Sequence, residues 1–250
     1  MKKLDYFALE ANLVKFLQDE VKTAGFDRVV FGLSGGIDSA TVAVLCKKAF
    51  GHNIKAVLIP SDTTNPVHMS HALMMCEKFD IEAEHVSIKN MLLSYPLELT
   101  PIRKGNLAAR LRMSVLYDIS SRDRALVVGT SNKSEIILGY GTLFGDTACA
   151  VNPIGSLYKT QIFEFAAHLG VIDEILTKAP SADLWEGQTD EGELGHTYEE
   201  LDKVMVALFE KGKSVEDVVS MGHSKEIIDT VLSRYQNNIF KGKPPRIATL

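Results

Sequence analysis

Cysteine is scarce in this chain. Cys46, Cys76 and Cys149 are the only three in 250 residues and no two form a C-x-x-C pair, which fits a reducing compartment better than a disulfide framework. A buried, inert role is expected for each. Long apolar runs are missing as well: Met1-Lys2-Lys3 passes into Leu4-Asp5 with no continuous apolar segment, so neither a secretory signal nor a membrane span is expected. There is no excess of basic residues. Lys and Arg number 27 against 32 Asp and Glu, a formal net charge of −5, and no global field argues for nucleic acid or an anionic membrane. Repeats and low-complexity tracts are absent. The histidines show no tight metal-ligand spacing beyond His68 and His71, which read as a solvated helix face. Together these absences lead us to expect a cytoplasmic protein that binds neither nucleic acid nor membrane.

What is present is an alternation of apolar strands and amphipathic helices. With 46% hydrophobic residues the chain can bury a sizeable core. Leu9, Leu13, Phe16, Leu17 and Val21 recur at helical spacing over 5–24, and Gly25 stops that helix. Strands are expected at the run ending in Phe31, at 54–60, 81–87 and 125–129, with helices over 40–50, 66–79 and 107–121 between them. Residues 96–106, with two prolines and a glycine, read as loop, and 130–151, with Gly139, Gly141 and Gly145, as a functional loop. A helix over 157–169 follows. The stretch 185–195, with four acidic residues, reads as mobile, and helices over 198–211, 215–220 and 224–238 close the chain. This pattern predicts an α/β fold, a doubly wound parallel sheet flanked by helices, with ligands at the carboxyl ends of the strands. We read one domain: an N-terminal helix (1–25), a catalytic core (26–195) and a helical C-terminal extension (196–250).

The most informative stretch is Val29-Val30-Phe31-Gly32-Leu33-Ser34-Gly35-Gly36-Ile37-Asp38-Ser39. An apolar strand ends in two glycines flanked by hydroxyls and a helix starts at once, so backbone N–H groups can converge on one anion. The phosphate-loop pattern G-x-x-x-x-G-K-[ST] is not met, because Asp38 stands before Ser39 where that pattern has lysine. A carboxylate there repels bare phosphate, so magnesium is expected between them.

Ser34-Gly35-Gly36-Ile37-Asp38-Ser39 after a strand resembles the pyrophosphate loop of the ATP pyrophosphatases, whose fold is adenine nucleotide alpha hydrolase-like. Further matches are Lys104-Gly105-Asn106 with Ala109-Arg110 and Arg112-Met113, Gly129-Thr130 with Glu135, and Leu157-Tyr158-Lys159-Thr160-Gln161. Pro180-Ser181-Ala182-Asp183-Leu184, the segment from Gln188 to Gly195, Tyr198 and Asp202 continue the series. In order and spacing, from Phe31 to about Asp202, the chain resembles the NAD synthetase family. The resemblance implies a two-step amidation in which the nicotinate carboxylate of deamido-NAD attacks the ATP α-phosphate and ammonia then displaces AMP. It further implies a homodimer with sites at the interface.

Carried onto these positions, the resemblance makes Gly32, Leu33, Ser34, Gly35, Gly36, Ile37, Asp38, Ser39, Thr130, Lys159 and Ser181 the ATP-binding residues. Asp38 and Glu135 become magnesium ligands, Asn106 and Arg110 contacts to deamido-NAD, and Asp146 and Lys159 catalytic residues, with Asp146 near ammonia. Read from the residues alone, Asp146 is equally a turn aspartate, and Lys159 and Glu135 are surface charges. Lys159 stands near a helix start, where a cation is disfavoured unless an anion compensates. The chain also departs from the family: Leu143 replaces a lysine that often contacts substrate phosphates, and Leu58-Ile59-Pro60 lacks the arginine common near the adenine strand. Cys46, Cys76 and Cys149 sit in unpromising contexts for glutamine hydrolysis, and no room is read for a glutaminase domain, so free ammonia is the expected nitrogen donor. Two other readings stay open here: another adenylating enzyme of the superfamily, such as a tRNA-modifying one, or an ATP-binding sensor without turnover.

Overall fold

The computed structural model describes residues 4–181, 188–243 and 247–248. Asp5 accepts from the N–H groups of Phe7 and Ala8 and so caps the first helix, α1 (Tyr6–Thr23), which buries Leu13, Leu17 and Val21 on one face. The alternation expected from the sequence follows: β1 (Val29–Gly32), α2 (Ile37–Phe50), β2 (Ile54–Leu58), α3 (Pro66–Phe79) and β3 (Ala83–His85). Next come α4 (Lys89–Leu93), α5 (Pro101–Asp123) and β4 (Leu126–Val127).

The four strands form one parallel sheet in the order β3-β2-β1-β4, with Val29 opposite both Ile54 and Leu126. The chain leaves β1 in opposite directions to reach β2 and β4, which makes the carboxyl end of β1 the switch point where such sheets bind ligands. Both faces are covered, and this explains why the strands read as continuous apolar runs. Val29, Phe31, Ile54, Ala56 and Leu58 pack with α1 and α2 on one face, whereas Val30, Val57 and Ile59 meet Leu92, Val115, Leu116 and Ile119 on the other.

Past β4 the chain is helical: α6 (Lys133–Leu138), α7 (Lys159–His168), α8 (Asp173–Leu176), α9 (Asp190–Leu194) and α10 (Tyr198–Met205). A π-helical turn (Val206–Glu210), α11 (Val215–Ser220), α12 (Lys225–Asn238) and a 3₁₀ turn (Ile239–Gly242) complete it. Leu138 of α6 and Tyr158 share a second core with Tyr198, Leu201, Met205, Val218, Ile228 and Val231. No helix among the described residues is long and apolar enough to cross a membrane.

Besides the short helices α4 and α8, which the sequence did not announce, three stretches differ from the sequence expectation. The fifth helix starts at Pro101 instead of 107, because Thr100 caps it by accepting from the Arg103 N–H and Pro101 takes the first position, where its missing N–H costs nothing. Lys104, Gly105 and Asn106 are therefore helical and do not form a turn. The glycine-rich stretch 130–151 contains α6, whose start is secured by a capping box between Asn132 and Glu135. The stretch expected to be mobile contains α9, with Asp190 and Leu194 buried. Its residues Trp185 and Glu186, and the matching Ala182, Asp183 and Leu184, lie outside the described residues.

Candidate active site

The cradle forms as the sequence predicts. Gly36 stands at the N-cap of α2 without a side chain, so the first-turn N–H groups stay available to an anion. Hydroxyls tie the loop to the helix: Ser34 Oγ and Ser39 Oγ lie 3.0 Å apart, Ser39 Oγ donates to the Gly36 carbonyl at 3.0 Å, and the Ser34 N–H donates to Ser39 Oγ at 3.2 Å. Gly35 has φ +76, and a Cβ there would lie 2.0 Å from the His68 carbonyl oxygen in the first turn of α3. Only glycine fits both that conformation and that approach. His68 and His71 are correspondingly half-buried rather than on a solvated face.

A cavity of about 670 Å³ opens over the cradle. Gly32, Leu33, Ser34, Gly36, Asp38, Ser39, Asn106, Thr130, Glu135, Asp146, Lys159 and Ser181 line it, so twelve of the predicted site residues meet in one place. Gly35 and Ile37 are held in the wall of the loop. Arg110 is absent from the lining: it is exposed on α5, its Nε donating to the Leu143 carbonyl at 3.2 Å.

Lys159 is the hub of the cluster. It is 2% exposed, and its Nζ donates to Asp38 Oδ2 at 2.5 Å and to Glu135 Oε1 at 3.2 Å. Burial alone would lower the lysine's pKa, but the charges of Asp38, Glu135 and Asp190 outweigh it and hold the ammonium protonated. Burial pushes the Glu135 carboxyl above its ordinary range, against the pull of Lys159 and with the help of Asp38 and Asp190. Asn132, fully buried, joins the pair to the capping box: its Nδ2 donates to Asp38 Oδ1 at 3.0 Å while its Oδ1 accepts from the Glu135 N–H at 3.0 Å.

The glycine-rich loop presents Asp146, whose Oδ1 accepts from the Thr142 N–H at 2.7 Å; burial raises the carboxyl's pKa and that bond opposes the rise. Thr142 Oγ1 in turn donates to Asn106 Oδ1 at 2.7 Å, which brings the predicted substrate residue Asn106 against the loop of Asp146. Ser181 Oγ donates to the Gln188 carbonyl at 2.7 Å.

Several residues of the site carried no assigned role in the sequence. Asp202, fully buried on α10, accepts from Ser134 Oγ at 2.6 Å, from the Thr160 N–H at 3.0 Å and from Thr160 Oγ1 at 2.8 Å. Ser134 Oγ also accepts the Lys159 N–H at 2.9 Å. A carboxylate thus sits at the N-terminus of α7 and offsets the dipole that disfavours Lys159 there. Asp190 meets the Tyr198 hydroxyl at 3.3 Å. Arg112 lines the cavity and donates from Nε to the Ile59 carbonyl at 3.1 Å, supplying an arginine beside the strand that lacks one of its own. Arg234, Asn238 and Lys241 also line the cavity, so the C-terminal helical extension reaches the site. Of these, Asp202, Asp190 and Arg112 lay in segments matching the family, a signal that could have found them.

Parallel sheets bind ligands where the strand order reverses, and here that place holds an anion cradle faced by a lysine between carboxylates; the class is that of nucleotide-using α/β enzymes. The chain belongs to the NAD synthase family, whose model matches residues 9–245. It is 50% identical over 244 residues to the NH(3)-dependent NAD(+) synthetase of Wolinella succinogenes, covering 96% of this chain and 95% of that relative. Among solved structures it is similar to the NH3-dependent NAD synthetase from Campylobacter jejuni, at 36% identity and a TM-score of 0.84 over 98% of this chain and 100% of that one. It is also similar to NMN synthetase from Francisella tularensis, at 34% identity and a TM-score of 0.88 over 99% of this chain and 100% of that one. The resemblance drawn from residues 31–202 is borne out and extends into both terminal regions.

Proposed function

We propose that the chain catalyses ATP-dependent amidation of deamido-NAD by ammonia, giving NAD, AMP and pyrophosphate through an adenylated nicotinate, the final step of NAD synthesis. The observation that carries this reading is Lys159, buried at the cradle and bonded to both Asp38 and Glu135. Adenylation builds charge on the α- and β-phosphates, and a site for it needs fixed donors and cations there.

In the first step a nicotinate oxygen bonds to the α-phosphorus, the bond to the bridging oxygen breaks, and pyrophosphate leaves with the electron pair. Backbone N–H groups of residues 32–39 and the Ser34 hydroxyl hold that leaving group, Lys159 supplies positive charge, and Thr130 donates to the nucleotide. Ser39 and Ser181 donate once their hydroxyls turn from the Gly36 and Gln188 carbonyls. In the second step Asp146 takes a proton from ammonium. The freed lone pair forms the C–N bond, the C–O bond to AMP breaks, and a second proton leaves the nitrogen for solvent.

Asp38 and Glu135 are the residues that would hold magnesium. The carboxyl groups of Asp38, Glu135 and Asp190 all act on Lys159, and carboxylate oxygens are the hard donors this ion takes. Among the described residues no three His, Cys, Asp or Glu side chains are placed to hold an ion by themselves, which fits a shell completed by phosphate and water. When bound, the ion neutralises charge developing on the phosphates.

We further read the exposed apolar side chains Leu93, Tyr95, Leu97, Ile102 and Tyr117, on and beside α5, as the contact with a second copy of the chain. Arg110 on that helix then serves the partner's substrate. Three unpaired cysteines fit a cytoplasmic setting.

The test is incubation with ATP, magnesium, ammonium and deamido-NAD, followed by quantification of NAD, AMP and pyrophosphate in equal amounts. Turnover with glutamine at low ammonia would refute ammonia as the donor, and binding of ATP without AMP release would mark a sensor. A second reading, amidation of the nicotinate mononucleotide, is favoured by the TM-score of 0.88 to the Francisella protein; running both acceptors in parallel separates the two.

A further inference from the structure

The last described turn of the chain reaches back into the loop that carries Asp146. Lys241, in the 3₁₀ turn after α12, donates from Nζ to the Gly139 carbonyl at 2.8 Å and to the Gly141 carbonyl at 3.0 Å. The Gly141 carbonyl and the Thr142 N–H belong to one peptide group, and that N–H is the one that donates to Asp146 Oδ1 at 2.7 Å. A cation on the oxygen of an amide polarises the group and strengthens its N–H as a donor, so the two bonds reinforce each other. The ammonium of Lys241 therefore acts on the Asp146 carboxylate through a single peptide plane, which it also holds at a fixed tilt.

The surroundings leave that loop little freedom. Gly139 has φ +59, and a Cβ there would lie 2.0 Å from Asn238 Cβ at the end of α12. Gly145 is pressed against α5, where its Cβ would lie 2.9 Å from Ala109 Cβ. Between these contacts the direction of the Gly141–Thr142 peptide is set by Lys241 on one side and Asp146 on the other. Both Lys241 and Asp146 line the cavity over the cradle.

We infer that Lys241 is a positioning residue of the ammonia step: through the Gly141–Thr142 peptide it holds the Asp146 carboxylate where it receives ammonium. This rests on the reaction proposed above and on the role given there to Asp146. Lys241 itself touches no reacting atom. Its loss leaves the cradle, Lys159 and Glu135 in place, so adenylation proceeds while capture of ammonia slows and water competes for the adenylate.

The experiment compares the full chain with Lys241→Met and Lys241→Arg, measuring NAD, AMP and pyrophosphate across a range of ammonium concentrations. Loss of bonds from a charged donor predicts an ammonium KM raised about tenfold in Lys241→Met, with AMP formed in excess of NAD and the ATP KM and first-turnover pyrophosphate release unchanged. Lys241→Arg, which keeps the charge and can donate to both carbonyls, should recover most of the ammonium KM. An unchanged ammonium KM in a folded Lys241→Met protein overturns the inference. So does a rise in which ATP KM and pyrophosphate release suffer equally, since that marks general loosening. If Lys241→Met does not fold, Lys241→Gln takes its place with the same two criteria. A wild-type protein that makes no amide at any ammonium concentration overturns the proposed reaction, and this inference with it.

Discussion

Between Gly32 and Ser39 the chain builds one part of its site from consecutive residues, whereas another part comes from side chains spread between Thr130 and Lys241. In the cradle the backbone is the reagent, and its shape depends on local conformation: a strand that ends, a glycine at φ +76 and a helix that starts. In the second part single side chains matter, several of them arriving from helices that pack a core of their own. Local chemistry makes a phosphate site; tertiary packing decides what is done with the phosphate.

The largest effect should come where the two halves touch. Lys159→Met removes the cation between Asp38 and Glu135 and leaves both carboxyl groups without their counter-charge. We expect kcat to fall by about 10²–10³ and stability by about 3–5 kcal/mol, read by AMP release and by chemical denaturation. Retained activity would break the comparison by making the C-terminal half dispensable for chemistry. Gly35→Ala tests the local half: with φ +76 and the His68 carbonyl at 2.0 Å, the loop must move, at a cost of about 3 kcal/mol and with a raised KM for ATP. Asp202→Asn tests the tertiary half. It places a donor against the N–H of Thr160, costing about 1–3 kcal/mol, and a kcat loss without a change in ATP KM would show that the helix of Lys159 had tilted.

Titration sharpens the same contrast. The folded pKa of Glu135 is raised from 4.5 to about 8, burial being the main cause. The folded protein then binds more protons than the unfolded chain over that window, so its stability falls as pH rises from 4.5 to about 8, by at most about 1.4 kcal/mol per pH unit from this group. Glu135→Gln should flatten the decline in denaturation midpoints measured without ligand; an unchanged slope would mean that the titrating group lies elsewhere. The smallest effect belongs to Lys203→Ala. Lys203 adjoins Asp202 on α10 but faces solvent, bridging Glu199 at 2.7 Å, and its loss should change stability by no more than about 0.5 kcal/mol with no effect on turnover.

How much of this was legible beforehand follows from the same division. The strands, the cradle, α1 and α3 were readable because each rests on a local signal: a cap at Asp5, a cap and a proline at Asn65-Pro66, glycines before Ile37. The start of α5 was missed because Pro101 and Gly105 look like breakers unless Thr100 is seen as a cap. Lys159 and Glu135 were placed only by resemblance, since neither burial nor ion pairing shows in a run of residues. Asp202 and Lys241 carried no role in the sequence. Their meaning lies in bonds to Thr160 and Gly141, across 42 and 100 positions of the chain.

The approach of α3 to Gly35 has one further consequence. The turn that opens α3 carries Ser61, Thr63 and Thr64, joined by hydroxyl contacts and reached by Arg112 at Thr64 Oγ1. The same helix rests its His68 backbone on the phosphate loop. One helix thus spaces the phosphate loop from the hydroxyl turn and, in the reaction proposed above, works as a caliper for the nucleotide. The entropy of bringing those surfaces to the right separation is lost when the chain folds, before any ligand arrives. A nucleotide that spans both surfaces in the proposed reaction meets them already set at their separation.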